Sequence, residues 1–364
     1  MLYYLIVNCV QNFKSTPLRL IDYVTFRAGA AALTALVLVL VLGPLTVRLL
    51  KDFVSPNRYK EYVENVAAIK DKTPTMGGLL IMGAIFVSML LWGNLSNTLV
   101  LVFLGAMLAF MLLGFVDDYR KVKLKSKDGI SIRTKFTAQT VITLLALLVF
   151  YFIPEVREHL QELCVPLMKK PVWIMPLAVA VIFETLVVVG ASNAVNLTDG
   201  KDGLAVGCTI FCTLTYAAFA YMSGHKVFAD YLSINYIEGA GEVGVLAACI
   251  AGACIGFLWY NCNPASMFMG DTGSLALGGC IGLIAVLVKQ ELLLILVGWV
   301  FVMEAGSVLL QILSLKFFGR RIFLCSPIHH HFEKKGWPEM QIVVRFWIIA
   351  GICALVGLAT LKLR

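Results

Sequence analysis

Two carboxylates stand side by side at Asp117-Asp118 in LLGFVDDYRKVK, and a third, Asp271, lies far along the chain in Gly270-Asp271-Thr-Gly-Ser. Adjacent carboxylates repel, so keeping both ionised favours a bound cation or basic neighbours. A pair of aspartates with a distant third is a donor set suited to Mg2+ in phosphoryl transfer, because Mg2+ prefers oxygen ligands. Neighbours on a helix point about 100° apart, which suits two tasks better than one bidentate grip. Each feature alone also has an ordinary account. Asp117 and Asp118 with Arg120 and Lys121 make a hydrated helix end, and Asp271 makes a helix cap.

Three further polar islands share this chemistry. Asn193-Ala-Val-Asn196-Leu-Thr-Asp199-Gly-Lys-Asp202-Gly suits a tight turn at the mouth of a helix, where carboxylates and amides face a ligand without bulky neighbours. Pro327-Ile-His329-His330-His331-Phe gathers three of the five histidines. If that stretch is extended, 329 and 331 share a face. No cysteine or second histidine cluster completes a zinc site there. Imidazoles that contact phosphates or donate protons are the better account. A first island carries Lys70-Asp-Lys72-Thr-Pro-Thr-Met-Gly-Gly, and the Asp271 island includes Asn261, an amide, and Phe268, an aromatic face.

What must position these islands is a membrane bundle. Sixty per cent of the residues are hydrophobic and 14% charged, too apolar for a soluble domain. Runs long enough to cross a bilayer fall at about 24–50, 77–93, 97–116, 135–153, 172–193, 203–222, 241–260, 272–288, 291–316 and 342–361. They must be helices, since lipid cannot satisfy an open backbone. The expectation is an all-α integral membrane protein of about ten transmembrane helices, a single polytopic domain over residues 1–364. The apolar N-terminus lacks a basic region and a cleavage site, so it reads as a segment at the membrane surface. Most cysteines lie in apolar runs without a C-x-x-C pair, and act as small hydrophobes.

Loops after odd-numbered spans carry about sixteen Lys and Arg, against about nine for the even loops and both tails. The odd loops are therefore expected in the cytoplasm and both termini outside. All five islands then share the cytoplasmic face. Nucleic-acid binding is not expected, because the basic residues behind the +8 charge are scattered among short loops. Glu184 and Glu304 fall within spans 5 and 9, away from the polar face. Intramembrane acids often mark ion paths, so they are the support for a coupled transporter.

TPTMGG (73–78), GFVDDYRKV (114–122), ASNAVNLTDG (191–200), MFMGDTGSLALGG (267–279) and PIHHHFEKKGW (327–337) together resemble the polyprenyl-phosphate N-acetylhexosamine-1-phosphate transferase superfamily. Within it they resemble the phospho-N-acetylmuramoyl-pentapeptide transferase family, PIHHHF being the stretch specific to that branch. The resemblance covers all five loops. It implies a bacterial inner-membrane enzyme, Mg2+-dependent and usually a homodimer surrounded by membrane lipids. Such an enzyme transfers phospho-N-acetylmuramoyl-pentapeptide from UDP-N-acetylmuramoyl-pentapeptide to undecaprenyl phosphate, giving lipid I and UMP. An N-acetylglucosamine-1-phosphate transferase is the alternative in the same superfamily. The resemblance implies Asp271 as the Mg2+ ligand, and Asp117, Asp118 and His330 with it as catalytic groups. It assigns Asn196, Asp199 and Asp202 to the nucleotide side and Phe268 to stacking on uracil. Lys70, Asn261, Gln311 and His330, with His329 and His331 flanking, line the diphosphate side, and Lys125 and Lys135 follow. Lys201 stands where the family carries an apolar residue. Lys72 stands where it commonly has Gly, which leaves Lys70 and Lys72 both open as the key lysine.

Overall fold

The computed structural model describes residues 20–54, 73–124 and 129–363. Lys70, Lys72, Lys125 and the expected N-terminal surface segment lie outside them. In chain order the described helices are α1 (Val24–Leu49), α2 (Gly78–Trp92), α3 (Thr98–Val122), α4 (Ile132–Phe152) and the one-turn α5 (Pro154–Arg157). An antiparallel pair, β1 (Glu162–Leu163) and β2 (Trp173–Ile174), follows. Then come α6 (Leu177–Thr198), α7 (Leu204–Ser223), the short α8 (Lys226–Leu232), α9 (Ala240–Asn261) and α10 (Asp271–Leu287). The last are α11 (Glu291–Val297), α12 (Trp299–Phe318), α13 (Ile328–Lys334) and α14 (Glu339–Ala359). Each expected span is present, and among the described residues eight helices are long and apolar enough to cross a membrane.

Four boundaries differ from the sequence reading. Helix α3 continues past 116 to Val122, so Asp117 and Asp118 ride on the helix instead of opening the loop. Helix α6 is shifted toward the C-terminus because Trp173–Ile174 pairs as a strand and Pro176 starts the helix, which brings Asn196 into its last turn. The ninth span breaks at Gly298 into α11 and α12. The three histidines are helical, in α13 behind Pro327, so 329 and 331 do not share the face an extended strand would give them.

Helix α10 is the axis of the fold. It packs against α2, α3, α6 and α7, and all 17 of its residues are buried. At 1.5 Å per residue it is about 26 Å long, short of a full hydrocarbon core. A helix surrounded by protein need not match the bilayer, so its polar start can lie recessed. Lipid instead meets the outer helices, where Leu33, Leu145, Leu186 and Leu355 are exposed.

The islands collect at one end of this bundle. Pro74 O accepts from Phe268 N, and Gly77 and Gly78 donate to Phe268 and Met269, which ties the TPTMGG stretch to the segment before α10. At the opposite end Arg27 pairs with Glu242, Asn97 donates to Gly239 O, and Lys362 reaches Tyr231. The two ends of the described chain therefore lie together, away from the islands.

Candidate active site

The site is built where α3 passes the start of α10. Gly114, one turn before the aspartates, lets the helices touch: a Cβ there would collide with the Asp271 carbonyl. Gly270 has φ +76 and ψ 178, a conformation open to glycine, and a Cβ on it would strike the Asp118 carboxylate. That carboxylate accepts from Asp271 N at 3.2 Å, Thr272 N at 2.9 Å and Thr272 Oγ1 at 2.7 Å. It satisfies amides at the first turn of α10, which have no partner within their own helix, and meets the positive end of that helix dipole. The cap comes from another helix, and Asp271 itself, the first residue of α10, caps nothing.

Asp117 points elsewhere. Its Oδ1 accepts from Ile130 N at 2.6 Å, and its Oδ2 lies 2.6 Å from Lys121 Nζ and 3.5 Å from Lys135 Nζ. The same two ammonium groups reach Asp271 Oδ2, Lys135 at 2.7 Å and Lys121 at 3.0 Å. Asp271 Oδ1 accepts from Asn196 Nδ2 at 2.8 Å, which also reaches Ser274 Oγ at 2.7 Å. Two nearly buried carboxylates thus share two cations, and the Lys121 side chain stays 30% exposed, so the cluster opens to solvent. In the sequence Lys121 reads as part of a hydrated helix end. Its signal was the i,i+4 spacing from Asp117.

Among the described residues no group of three or more His, Cys, Asp or Glu converges as a metal cage. Mg2+ does not require one, since it is commonly held by one or two carboxylates with waters and substrate phosphates. Asp117 Oδ2 and Asp271 Oδ2 meet that need. They are hard oxygens already gathered around positive charge, with ammonium groups where a cation would sit.

The nucleotide-side candidates form a second layer. Asp199 is the C-cap of α6. Asp202 accepts from Asn263 Nδ2 at 3.0 Å and Ala265 N at 3.2 Å. Asn261 accepts from Gly203 N at 3.0 Å and donates to Met267 O at 2.9 Å. These bonds lock the turn after α6 to the loop after α9. Asn261 and Phe268 are buried, and in this arrangement Asn261 serves the loop.

The three histidines diverge. His329 Nδ1 meets Glu304 Oε2 at 3.0 Å, both buried, and its Nε2 abuts Gly200, where a Cβ would collide with it. Glu304, expected away from the polar face, is therefore wired into it, because the turn of α12 that carries it backs onto α13. His330 Nδ1 lies 3.0 Å from Glu333 Oε2, and Glu333 Oε1 lies 2.6 Å from Lys201 Nζ. Despite partial burial, His330 and Lys201 hold the Glu333 carboxyl down to about 2. Burial pushes the His330 imidazole below its ordinary value, against the opposing pull of Glu333. His331 Nδ1 accepts from Leu324 N at 3.1 Å. Gln311 spends its amide on the backbone of Ile322 and Phe323, bracing the loop between α12 and α13.

Glu184 is at the other end of α6, 3.0 Å from Lys289, which also pairs with Glu291 at 2.5 Å. In this buried cluster, remote from the islands, two carboxylates share one lysine, and among the described residues Glu184 Oε2 and Glu291 Oε2 have no hydrogen-bond partner. Between α6 and the broken span α11–α12 runs an apolar groove of about 480 Å³, lined by Leu186, Gly190, Asn193, Ile295, Val302 and Gly306 among others. It begins at Phe136 and Asn193, next to Lys135 and one turn from Asn196. Nothing in the sequence marked it, because apart from Asn193 and Glu291 its walls are ordinary apolar residues.

Residues 100–289 match the family model described as glycosyl transferase family 4. Over 375 aligned residues, 100% of both chains, the sequence is 47% identical to the phospho-N-acetylmuramoyl-pentapeptide-transferase of Chloroherpeton thalassium. It is 46% identical to that of Methylacidiphilum infernorum, covering 95% of this chain and 96% of the relative. With the Koribacter versatilis protein of the same name, identity is 44% over the full length of both.

Proposed function

The chain belongs to the phospho-N-acetylmuramoyl-pentapeptide-transferase family within glycosyl transferase family 4, and we propose a reaction and residue roles on that footing. It is a multi-pass membrane enzyme of peptidoglycan synthesis that moves phospho-N-acetylmuramoyl-pentapeptide from its UDP donor to undecaprenyl phosphate, releasing UMP and forming lipid I. The observation that carries the residue roles is the Asp117–Lys121–Lys135–Asp271 cluster beside the mouth of an apolar groove. A polyprenyl chain fits such a groove, and its phosphate then comes to the side where Lys135 emerges.

Direct attack is the simplest chemistry. An oxygen of the acceptor phosphate forms a bond to the donor's β-phosphorus, and the bond from that phosphorus to the oxygen bridging the α-phosphate breaks. UMP leaves with the bonding electrons. The acceptor is largely dianionic near neutrality, since a phosphate monoester has a second pKa of about 6. It therefore needs orientation more than activation. Asp117 orients it and takes its remaining proton when one is present. Lys121 and Lys135 neutralise charge between two anionic substrates, and Asn196 fixes the rotamer of Asp271. Asp271 with Asp117 would hold Mg2+, which supplies charge neutralisation on the diphosphate when bound. Asp118 acts by holding the start of α10. Asp199, Asp202 and the α13 histidines form the donor side. The reading puts this end of the bundle in the cytoplasm, from the Lys/Arg distribution, and includes a homodimer.

The test is UMP release by detergent-purified protein. It is expected only when UDP-N-acetylmuramoyl-pentapeptide, polyprenyl phosphate and Mg2+ are all present. UMP release without the lipid acceptor would overturn the transfer.

A further inference from the structure

Helix α12 outruns the bundle. Its buried residues are Val300, Phe301, Glu304, Ser307, Gln311 and Ser314, and from Leu315 through Ile322 every residue is exposed. The chain turns at Gly319, which ends the helix at φ +62, and then runs back along it. Ser314 Oγ donates to Arg320 O at 2.8 Å. Gln311 Oε1 accepts from Ile322 N at 3.1 Å and Phe323 N at 3.0 Å, and its Nε2 donates to Phe323 O at 3.1 Å. The tip is therefore a built arm and not a frayed helix end. Its outer surface mixes two chemistries. Phe317 and Phe318 are 68% and 75% exposed, with Leu315, Ile322 and Leu324 exposed around them. Lys316, Arg320 and Arg321 stand in the same stretch. The chain carries no Asp or Glu between Glu304 and Glu333, and among the described residues none of these three cations has an ion-pair partner.

We propose that this arm, the end of α12 with the segment returning from Gly319, binds the headgroups of anionic phospholipids in the leaflet at the end of the bundle where the islands collect. Water is a poor solvent for so apolar a tip, and hydrocarbon is a poor one for three cations. The headgroup layer, with acyl chains on one side and phosphates on the other, accepts both. Lys316, in the last turn of α12, also suits the helix dipole. Arg320 and Arg321 lie beyond the cap, so the dipole does not account for them. A guanidinium fork matches a phosphodiester with two parallel hydrogen bonds. A zwitterionic headgroup would bring its own ammonium into a cluster that has no acid to receive it. A headgroup ending in hydroxyls brings only the phosphate charge. Each Lys or Arg near an anionic surface is worth about fivefold in binding.

The experiment places a fluorophore at the tip. The full chain carrying Phe318→Trp is reconstituted in vesicles of phosphatidylcholine mixed with phosphatidylglycerol, one or the other brominated on its acyl chains. The six native tryptophans are the background, read from the wild type in the same vesicles. The added fluorescence is expected to be quenched by both lipids, and by brominated phosphatidylglycerol as if it bound at least about fivefold more tightly. Replacing Lys316, Arg320 and Arg321 together by Gln in that variant should leave the two lipids nearly equal. Thermal melts establish that the triple variant is folded. If it is not, Arg320→Gln and Arg321→Gln are read singly, each lowering the preference. Equal quenching by the two lipids before the cations are removed would overturn the proposal, as would a preference that survives their removal. Quenching by neither lipid would put the arm in water or under a second copy of the chain, and would overturn it too. Displacement of brominated phosphatidylglycerol by polyprenyl phosphate equimolar with the protein would assign the arm to the acceptor instead. The measurement uses no turnover, so it stands or falls apart from the transferase reading.

Discussion

Substituting Asp118 by Asn separates the two neighbouring carboxylates. Asp118 accepts three hydrogen bonds, two at Oδ2 from Thr272 and one at Oδ1 from the Asp271 amide. An asparagine retains one acceptor oxygen. If it keeps the Thr272 pair, its NH2 group faces the Asp271 N–H, donor against donor. A hydrogen bond to a charged group is worth about 1.5–3 kcal/mol, and a helix cap about 1 kcal/mol. These describe overlapping parts of one interaction, so the expected loss is about 2–3 kcal/mol in stability. Turnover falls as well, because the displaced amide belongs to Asp271. Asp117→Asn makes the contrast. Its amide oxygen can still accept from Ile130 N, and although its NH2 group then faces Lys121, that side chain is 30% exposed and can turn to solvent, so what is lost is chiefly the charge that serves Lys121, Lys135 and the metal. It should melt near the wild type while losing most UMP release. The assay is a thermal unfolding curve in detergent run beside UMP release for both variants. An Asp118→Asn protein that melts like the wild type yet is as inactive as Asp117→Asn would refute the cap and make Asp118 a group that acts on substrate.

Asp271→Asn should lower UMP release at least roughly a hundredfold, since a neutral amide is a poor Mg2+ ligand and releases Lys135; chelating Mg2+ from the wild type should give a similar loss, reversed by adding it back. Glu304→Gln is expected to cost about tenfold in turnover, through a loosened His329, and unchanged turnover would detach that pair from the site. Cysteines introduced at Lys123 and Lys334 should react only with reagents that reach the cytoplasm and one at Glu158 only from outside; labelling of all three from one side would break the ten-span arrangement. Lipid-free enzyme with Mg2+, donor and radiolabelled UMP should put no label into the nucleotide sugar, whereas exchange would require a phosphorylated enzyme and exclude direct attack.

The spans were legible in the sequence because lipid leaves the backbone no alternative: a run such as TLVLVFLGAMLAFMLLGFV must be helical wherever it sits. The islands were legible because polar residues cost too much in such a chain to be incidental. The splay of Asp117 and Asp118 followed from helix periodicity alone. Which carboxylate caps α10 and which meets the lysines did not, because that depends on the neighbour, and the neighbour is α10, separated from α3 by more than a hundred residues. The same holds for Glu304, an apparent intramembrane acid until α13 folds back and sets His329 against it. Lys121 looked like a hydrated helix end until the loop to α4 returned Lys135 beside it. The apolar groove needed the break at Gly298, where one expected span becomes the short α11 and the long α12, both lining the groove beside α6. In each case sequence determined the residue types and their local spacing, while only long-range packing decided which charges would meet, because electrostatic and hydrogen-bond partners here come from helices that are neighbours in space and not along the chain.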